Sequence, residues 1–282
     1  MTAEGKHMTD TNQAITLKDV QETALIPLSI KASESLRKNN RIYDGKAVEI
    51  IKELGIDTKK YDKYFSHEGV VSRTIMFDNT VRKLLEKYPD ANIINIGCGF
   101  DDRFSRVDNG IAHWYHIDLP DSIEVRRKVF EAHDRQTLVA ADLTADSWTD
   151  SLPDDNVTII IVEGLLMYFT EQQVRELLQR ITEHFQKGFV LAELMHPIAM
   201  GNEKIHDTVK STNAKFTFGT ENGKELESYC SGLKLIKEAN FFAEMRKHHL
   251  VGKIGSLFAG KIMNRLAVYK FCRQSIENQT QM

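Results

Sequence analysis

Cysteine is scarce. Three occur in 282 residues, Cys98, Cys230 and Cys272, with no Cys-x-x-Cys pair and with gaps too wide for a metal knuckle or a disulfide framework. Reduced thiols in a cytoplasmic chain are the expectation. Long apolar runs are also missing. The best stretch, Val157 to Phe169, is broken by Thr158 and Glu163 and falls short of the roughly 20 residues a bilayer requires, so no membrane span is expected. Met1 to Leu17 lacks both the apolar core of a signal peptide and the basic amphipathic pattern of a transit sequence, and reads as a loose tail. An excess of one charge is absent too: 37 Lys and Arg against 40 Asp and Glu leave −3. The chain as a whole thus offers no electrostatic footprint for a nucleic-acid backbone.

What the sequence does hold is core material. Hydrophobic residues make up 41% and charged residues 27%, enough apolar surface for a sizeable core and too much for wholesale disorder. No repeat or low-complexity block appears. The length suits one large α/β domain with an elaboration. The expected division is a tail over 1–20, a helical cap over 21–90, and a core over 91–275 with an insertion around 196–232.

The first ninety residues read helical. Helices are expected over Thr23 to Arg37 and from the cap Asp44 through Leu54 to the stop Gly55. A third follows Gly69, carries Val71, Ile75, Val81, Leu84 and Leu85, and stops before Pro89. From Ala91 the period changes. Short apolar runs (Ile93 to Ile96, Trp114 to Ile117, Leu138 to Ala141, Val157 to Val162, Phe189 to Ala192) alternate with the amphipathic segments Ser122 to His133 and Glu171 to Phe185. Strand, helix, strand in series implies a parallel sheet covered on both faces. The rhythm is lost after Met195, and Leu233 to Phe242 and Leu266 to Phe271 supply late strands. A long stretch without period inside such a domain reads as a functional lid.

The first strand ends in Gly97-Cys98-Gly99, where glycine lets backbone approach a ligand closely. A dinucleotide fingerprint needs a third glycine, but that position is Asp102. This lowers a nicotinamide-dependent reductase, because a carboxylate there repels pyrophosphate and does not penalise a cationic cofactor. Three acids then close successive strands. Asp118 stands 21 residues after Gly97, at the spacing where a carboxylate accepts from ribose hydroxyls; Asp142 and Glu163 follow. In an open parallel sheet these share one crevice with the glycine turn. Each acid alone is equally well read as a helix cap.

Several strings together resemble the leucine carboxyl methyltransferase family, in particular its bacterial polyketide O-methyltransferase branch. They are Ala24 to Ser35, Arg73-Thr74 with Asp78, the glycine turn with Asp101 and Arg103, Arg106 to Gly110, Trp114 to Pro120 with its Asp-Leu-Pro, and Glu163-Gly164-Leu165-Leu166-Met167-Tyr168. The resemblance implies a Rossmann-like class I methyltransferase fold. That is a mostly parallel seven-stranded sheet flanked by helices, with an N-terminal helical segment and a lid after the fifth strand. It implies S-adenosylmethionine as cofactor. Carried over by position, it places the methionine half near Gly97, Cys98, Gly99 and Arg73, with Lys31 as a second basic residue. Asp118 with Leu119 takes the ribose, Asp142 with Leu143 the adenine, and Glu163 with Gly164 the amino end. Phe100 and Asp102 depart from the pattern.

Methyl transfer from a sulfonium is an in-line displacement that leaves alignment and water exclusion to the protein. A carboxylate acceptor is ionised at neutral pH and needs no base, whereas a phenol benefits from one. No catalytic residue is therefore assigned. Arg103 and Tyr168 are the expected substrate contacts, Arg103 being equally well read as a partner of Asp101 or Asp108, and the acceptor is expected to be a carboxylate on a small molecule or the C-terminus of a peptide. A phenolic acceptor, with His116 or His196 as base, and a catalytically silent cofactor-binding module are the alternatives. The His248-His249 doublet has no third ligand at useful spacing, and no metal is expected.

Overall fold

The chain changes period at Ala91 because the segments that follow are buried on both faces. In the computed structural model β1 (Asn92–Ile96) and β4 (Thr158–Val162) have no exposed residue, the pattern of central strands covered by helices above and below. The structure describes residues 22–201, 215–248 and 262–273. The expected tail over 1–20, the 202–214 part of the expected lid, and His249 lie outside these.

Five parallel strands, β1, β2 (His113–Asp118), β3 (Gln136–Ala140), β4 and β5 (Lys187–Leu194), are joined by two antiparallel ones, β6 (Leu233–Asn240) and β7 (Arg265–Cys272). The order is β3-β2-β1-β4-β5-β7-β6. It reverses at β1, beside β4, which makes the carboxyl ends of these two strands the switch point where ligands bind. Gly188 fixes the β4–β5–β7 seam: a Cβ there would sit 2.0 Å from the Thr158 carbonyl oxygen and 2.8 Å from the Phe271 ring.

Helices α1 (Glu22–Ser35), α2 (Gly45–Glu53) and α3 (Tyr64–Lys87) pack as a cap around Leu28, Ile30, Ile50 and Val71. Asp44 caps α2 as its position suggests, its Oδ1 accepting from Ala47 N at 2.9 Å. The third helix begins at Tyr64, not after Gly69; Gly69 lies within it, with nothing within 4 Å of where a Cβ would be. That residue breaks no helix when neighbouring turns are held by Val70, Val71 and Phe77 in the core. The short α4 (Arg103–Val107) follows the glycine turn, and α5 (Pro120–Val129) starts two residues before Ser122 because Pro120 occupies its first turn, where a missing N–H costs nothing. α6 (Glu171–His184) opens with a reciprocal capping box between Thr170 and Gln173, and α7 (Phe242–His248) follows β6 and packs against α3. The sheet is sandwiched. Ile94, Ile160 and Val190 meet α6 residues such as Leu178 and Ile181 on one face, and Ile93, Ile159 and Leu191 meet Phe77 and Val81 of α3 on the other. Among the described residues no helix is long and apolar enough to cross a membrane.

Candidate active site

The β1 turn is built by two left-handed glycines, Gly97 at φ +62° and Gly99 at φ +43°. A Cβ on Gly97 would press on Leu165 Cδ1 at 3.1 Å, and one on Gly99 would meet nothing within 4 Å. Gly99 therefore presents bare backbone to open space. Arg126, 1% exposed on α5, pins the turn from behind by donating to the Gly99 carbonyl at 2.7 Å and the Asp101 carbonyl at 2.9 Å. The Gly99 N–H donates to Asp118 Oδ2 at 2.8 Å, and Leu119 N donates to Asp118 Oδ1 at 2.8 Å. Asp118 thus stands at the β2 end braced by two backbone donors, with unused lone pairs beside the turn.

A cavity opens here. Its lining includes Gly97, Cys98, Gly99, Asp118, Glu163, Gly164, Arg73, Lys31 and Tyr168, all expected from sequence. It also includes residues the sequence reading missed: Asn95, Phe100, Asp101, Leu165, Ser122, Val125 and one face of α1, Thr23, Ala24, Pro27 and Leu28. Asn95 carried a signal, being a polar residue in the otherwise apolar run Ile93 to Ile96 that is 2% exposed. Arg126 carried none.

Three expected cofactor contacts and one substrate contact are not brought in. Leu119 is 44% exposed and outside the lining. Asp142 is exposed at the end of β3, its Oδ1 accepting from Thr144 N at 2.9 Å and Thr144 Oγ1 at 2.7 Å, so the turn-capping role accounts for it; Leu143 packs into the core. Arg103 is the main correction. Its place after the glycine turn is read either as a contact to substrate or as a pair with Asp101 or Asp108, and the side chain is 1% exposed and fully engaged, with Asp101 among its partners. Its Nε donates to Asp78 Oδ1 at 2.7 Å, Nη1 to Asp101 Oδ2 at 2.6 Å and Nη2 to Glu163 Oε2 at 2.6 Å.

Arg103 is one node of a continuous ion-pair network. Arg106 contacts Asp44, Asp78 and Asp101; Lys31 contacts Asp44 and Asp101; Arg73 contacts Glu163 at 2.7 Å and Glu193 at 2.9 Å. Four cations thus face five carboxylates, Asp44, Asp78, Asp101, Glu163 and Glu193. Burial opposes ionisation of Asp101, but Arg103, Lys31 and Arg106 prevail and hold its carboxyl well below the usual range. The same contest, won by Arg106 and Arg103, lowers Asp78. The surplus is one negative charge. Burial pushes the Cys98 thiol up to about 12, so it lines the cavity as a neutral group.

This arrangement suits S-adenosylmethionine, whose sulfonium and ammonium outweigh its carboxylate by one positive charge. Bare glycine backbone, a braced carboxylate at the β2 end and a paired acid and arginine at the β4 end match its ribose and amino-acid halves. Neither candidate base belongs to the cavity. His116 is fully buried within β2, its Nε2 against Gln136 Oε1 at 2.9 Å, and burial pushes its pKa down to about 3. His196 caps the turn Pro197–Ala199 and borders a separate depression with Glu238 and Arg265.

Comparison with known proteins agrees with the geometry. The sequence profile of the leucine carboxyl methyltransferase family matches residues 25–182. The chain is 27% identical over 228 residues to the tetracenomycin polyketide synthesis O-methyltransferase TcmP of Streptomyces glaucescens, covering 80% of this chain and 84% of that one. It is 29% identical over 243 residues to the S-adenosyl-L-methionine-dependent methyltransferase dpfgK of Gibberella zeae, covering 78% and 82%. A crystal structure of a candidate methyltransferase from Thermobifida fusca shares the fold at a TM-score of 0.56 and 10% identity, covering 87% of this chain and 94% of that one. With its Rossmann-like seven-stranded sheet and a cavity at the switch point, the chain belongs to the leucine carboxyl methyltransferase family, and S-adenosylmethionine is its methyl donor.

Proposed function

We propose that this methyltransferase esterifies a carboxylate on a small metabolite or a peptide C-terminus. The observation that carries this reading is the absence, among the described residues, of any histidine in the cavity lining. The titratable residues there are Lys31, Arg73, Cys98, Asp101, Asp118, Glu163 and Tyr168. A phenol would need a base poised near neutrality, and the two histidines that sequence offered are buried in the sheet or cap a turn outside the cavity lining. An ionised carboxylate needs only desolvation and alignment. TcmP is named for polyketide synthesis, which favours a small metabolite over a peptide.

Bound S-adenosylmethionine supplies an electrophilic methyl on a sulfonium, and the chain's own groups do the positioning. Asp118 accepts from the ribose hydroxyls while its other contacts hold the Gly99 turn. Arg73 and Lys31 face the donor's carboxylate, and Glu163 faces its ammonium. Asn95 and the Gly97 backbone line the space between. Tyr168, packed on Phe216 with ring centroids 5.8 Å apart, forms the wall by which the acceptor enters. Its phenol is pushed up by burial and by Glu193, so it stays protonated and donates a hydrogen bond to the acceptor carboxylate. Arg103 acts on the acceptor only through Glu163 and Asp101.

Alkali tests the assignment. Methyl esters formed from labelled S-adenosylmethionine release methanol in mild base, whereas methyl ethers and N-methyl groups persist. Release of label is the expected result, and retention would move the reading to a phenolic acceptor.

A further inference from the structure

Glu193 is a charge in the middle of an apolar run, Phe189 to Met195, and the sequence pattern gives no reason for it. It lies on β5 opposite Leu266 of β7 and is 2% exposed. It does not line the cavity. Its partners do. Oε2 accepts from Arg73 Nη1 and from the Gly164 N–H, both at 2.9 Å, and Oε1 accepts from Asn264 Nδ2 at 2.9 Å. One buried carboxylate oxygen therefore ties the arginine of α3 to the left-handed glycine (φ +67°) that follows Glu163.

The geometry divides the Arg73 guanidinium. Nε lies 2.7 Å from Glu163 Oε1 and Nη1 lies 2.9 Å from Glu193 Oε2, while the residue as a whole lines the cavity. The hydrogen bond from Nη1 to Glu193, with the Glu163 charge beside Nε, removes rotamers that a long side chain would otherwise lose on binding. Glu193 also neutralises Arg73 from outside the cavity lining. That offsets the burial of the guanidinium with a charge that is not itself needed by the ligand.

We propose that Glu193 is a positioning residue for donor binding, setting Arg73 and the Gly164 turn for the amino-acid half of S-adenosylmethionine. This rests on the reading of Arg73 as the partner of the donor's carboxylate, and the test separates the two. Glu193→Gln is isosteric. A flip of the Asn264 amide lets the glutamine keep all three hydrogen bonds, so only the charge is removed. Calorimetry with two probes reads the effect: S-adenosylhomocysteine, which carries the amino-acid half, and 5′-methylthioadenosine, which does not.

Glu193→Gln is expected to weaken S-adenosylhomocysteine about tenfold, as for a lost charge-assisted contact, and to leave 5′-methylthioadenosine unchanged. In the Arg73→Ala background it should cost no further affinity and should raise the melting temperature, because it discharges a buried carboxylate left without its partner. If Arg73→Ala weakens S-adenosylhomocysteine and Glu193→Gln does not, the inference fails and the Arg73 reading stands. If Arg73→Ala has no effect on either probe, both fall. Equal weakening of the two probes, or a Glu193→Gln protein that does not fold, would make the carboxylate a structural anchor and overturn the proposal.

Discussion

Asp118 and Arg103 show how far a single residue's surroundings decide its role. Both are charged: Asp118 closes β2, and Arg103 opens α4 after the glycine turn. Asp118 is braced by backbone and keeps free lone pairs over the cavity, so Asp118→Ala is expected to weaken S-adenosylhomocysteine by about 1–3 kcal/mol. Calorimetry beside a melting curve checks it, and unchanged affinity would reduce Asp118 to a brace for the turn. Arg103 spends every nitrogen on Asp78, Asp101 and Glu163. Arg103→Ala removes the one cation shared by three buried carboxylates, which keep only Arg106, Lys31 and Arg73 between them, and should cost about 3–5 kcal/mol of stability. Urea unfolding without ligand would register the loss, whereas a residue that only touched substrate would change KM and leave the midpoint in place.

At the level of elements, the sheet depends on close approach as much as on apolar burial. β5 lies between parallel β4 and antiparallel β7, and Gly188 allows the Thr158 carbonyl and Phe271 ring to meet across it. Gly188→Ala cannot be absorbed by a side-chain shift alone, since the nearer obstacle is backbone. It is expected to cost about 1–3 kcal/mol, the range of core overpacking, seen as a lower melting temperature with donor affinity retained once folded. The cap behaves differently. α1 supplies cavity wall through Pro27, Leu28 and Lys31, yet its charges reach the core through Asp44 and Asp101. Stability and donor binding are therefore linked in the cap and separable at Gly188.

For the whole molecule the depressed groups set the acid limit. His116 has its pKa lowered from 6.5 to about 3 by burial and by Arg126, so the unfolded chain binds a proton there that the folded one refuses. Its contribution is complete above about 6.5 and drains away as pH falls toward 3. Asp78 and Asp101, lowered from 3.8 by their arginines, lose theirs below that value. Stability is thus expected to decline in two stages on acidification. Urea midpoints at about pH 7 and about pH 5 should differ for the parent protein and converge for His116→Gln, which keeps a partner for Gln136. A parent midpoint that holds steady over that range would show His116 free to protonate in the fold.

The sequence by itself determined the strand–helix alternation, the glycine turn, and the acids at the β2 and β4 ends. Each is written locally: in the period of apolar residues, in the φ > 0 that only glycine accepts freely, and in the position just past an apolar run. Asn95 and Glu193 were legible in principle as polar breaks in buried strands. The tertiary structure alone decided which charges face ligand and which face one another. Arg73, Arg103 and Arg106 look alike along the chain, and their partners lie 25 to 120 residues away or only 2 to 5. The direction of a long cationic side chain is fixed by the carboxylates that packing places around it, and that placement is absent from any one segment. Asp142, by contrast, caps its own turn through Oδ1 and lies outside the cavity lining, a difference from Asp118 that position after a strand does not write.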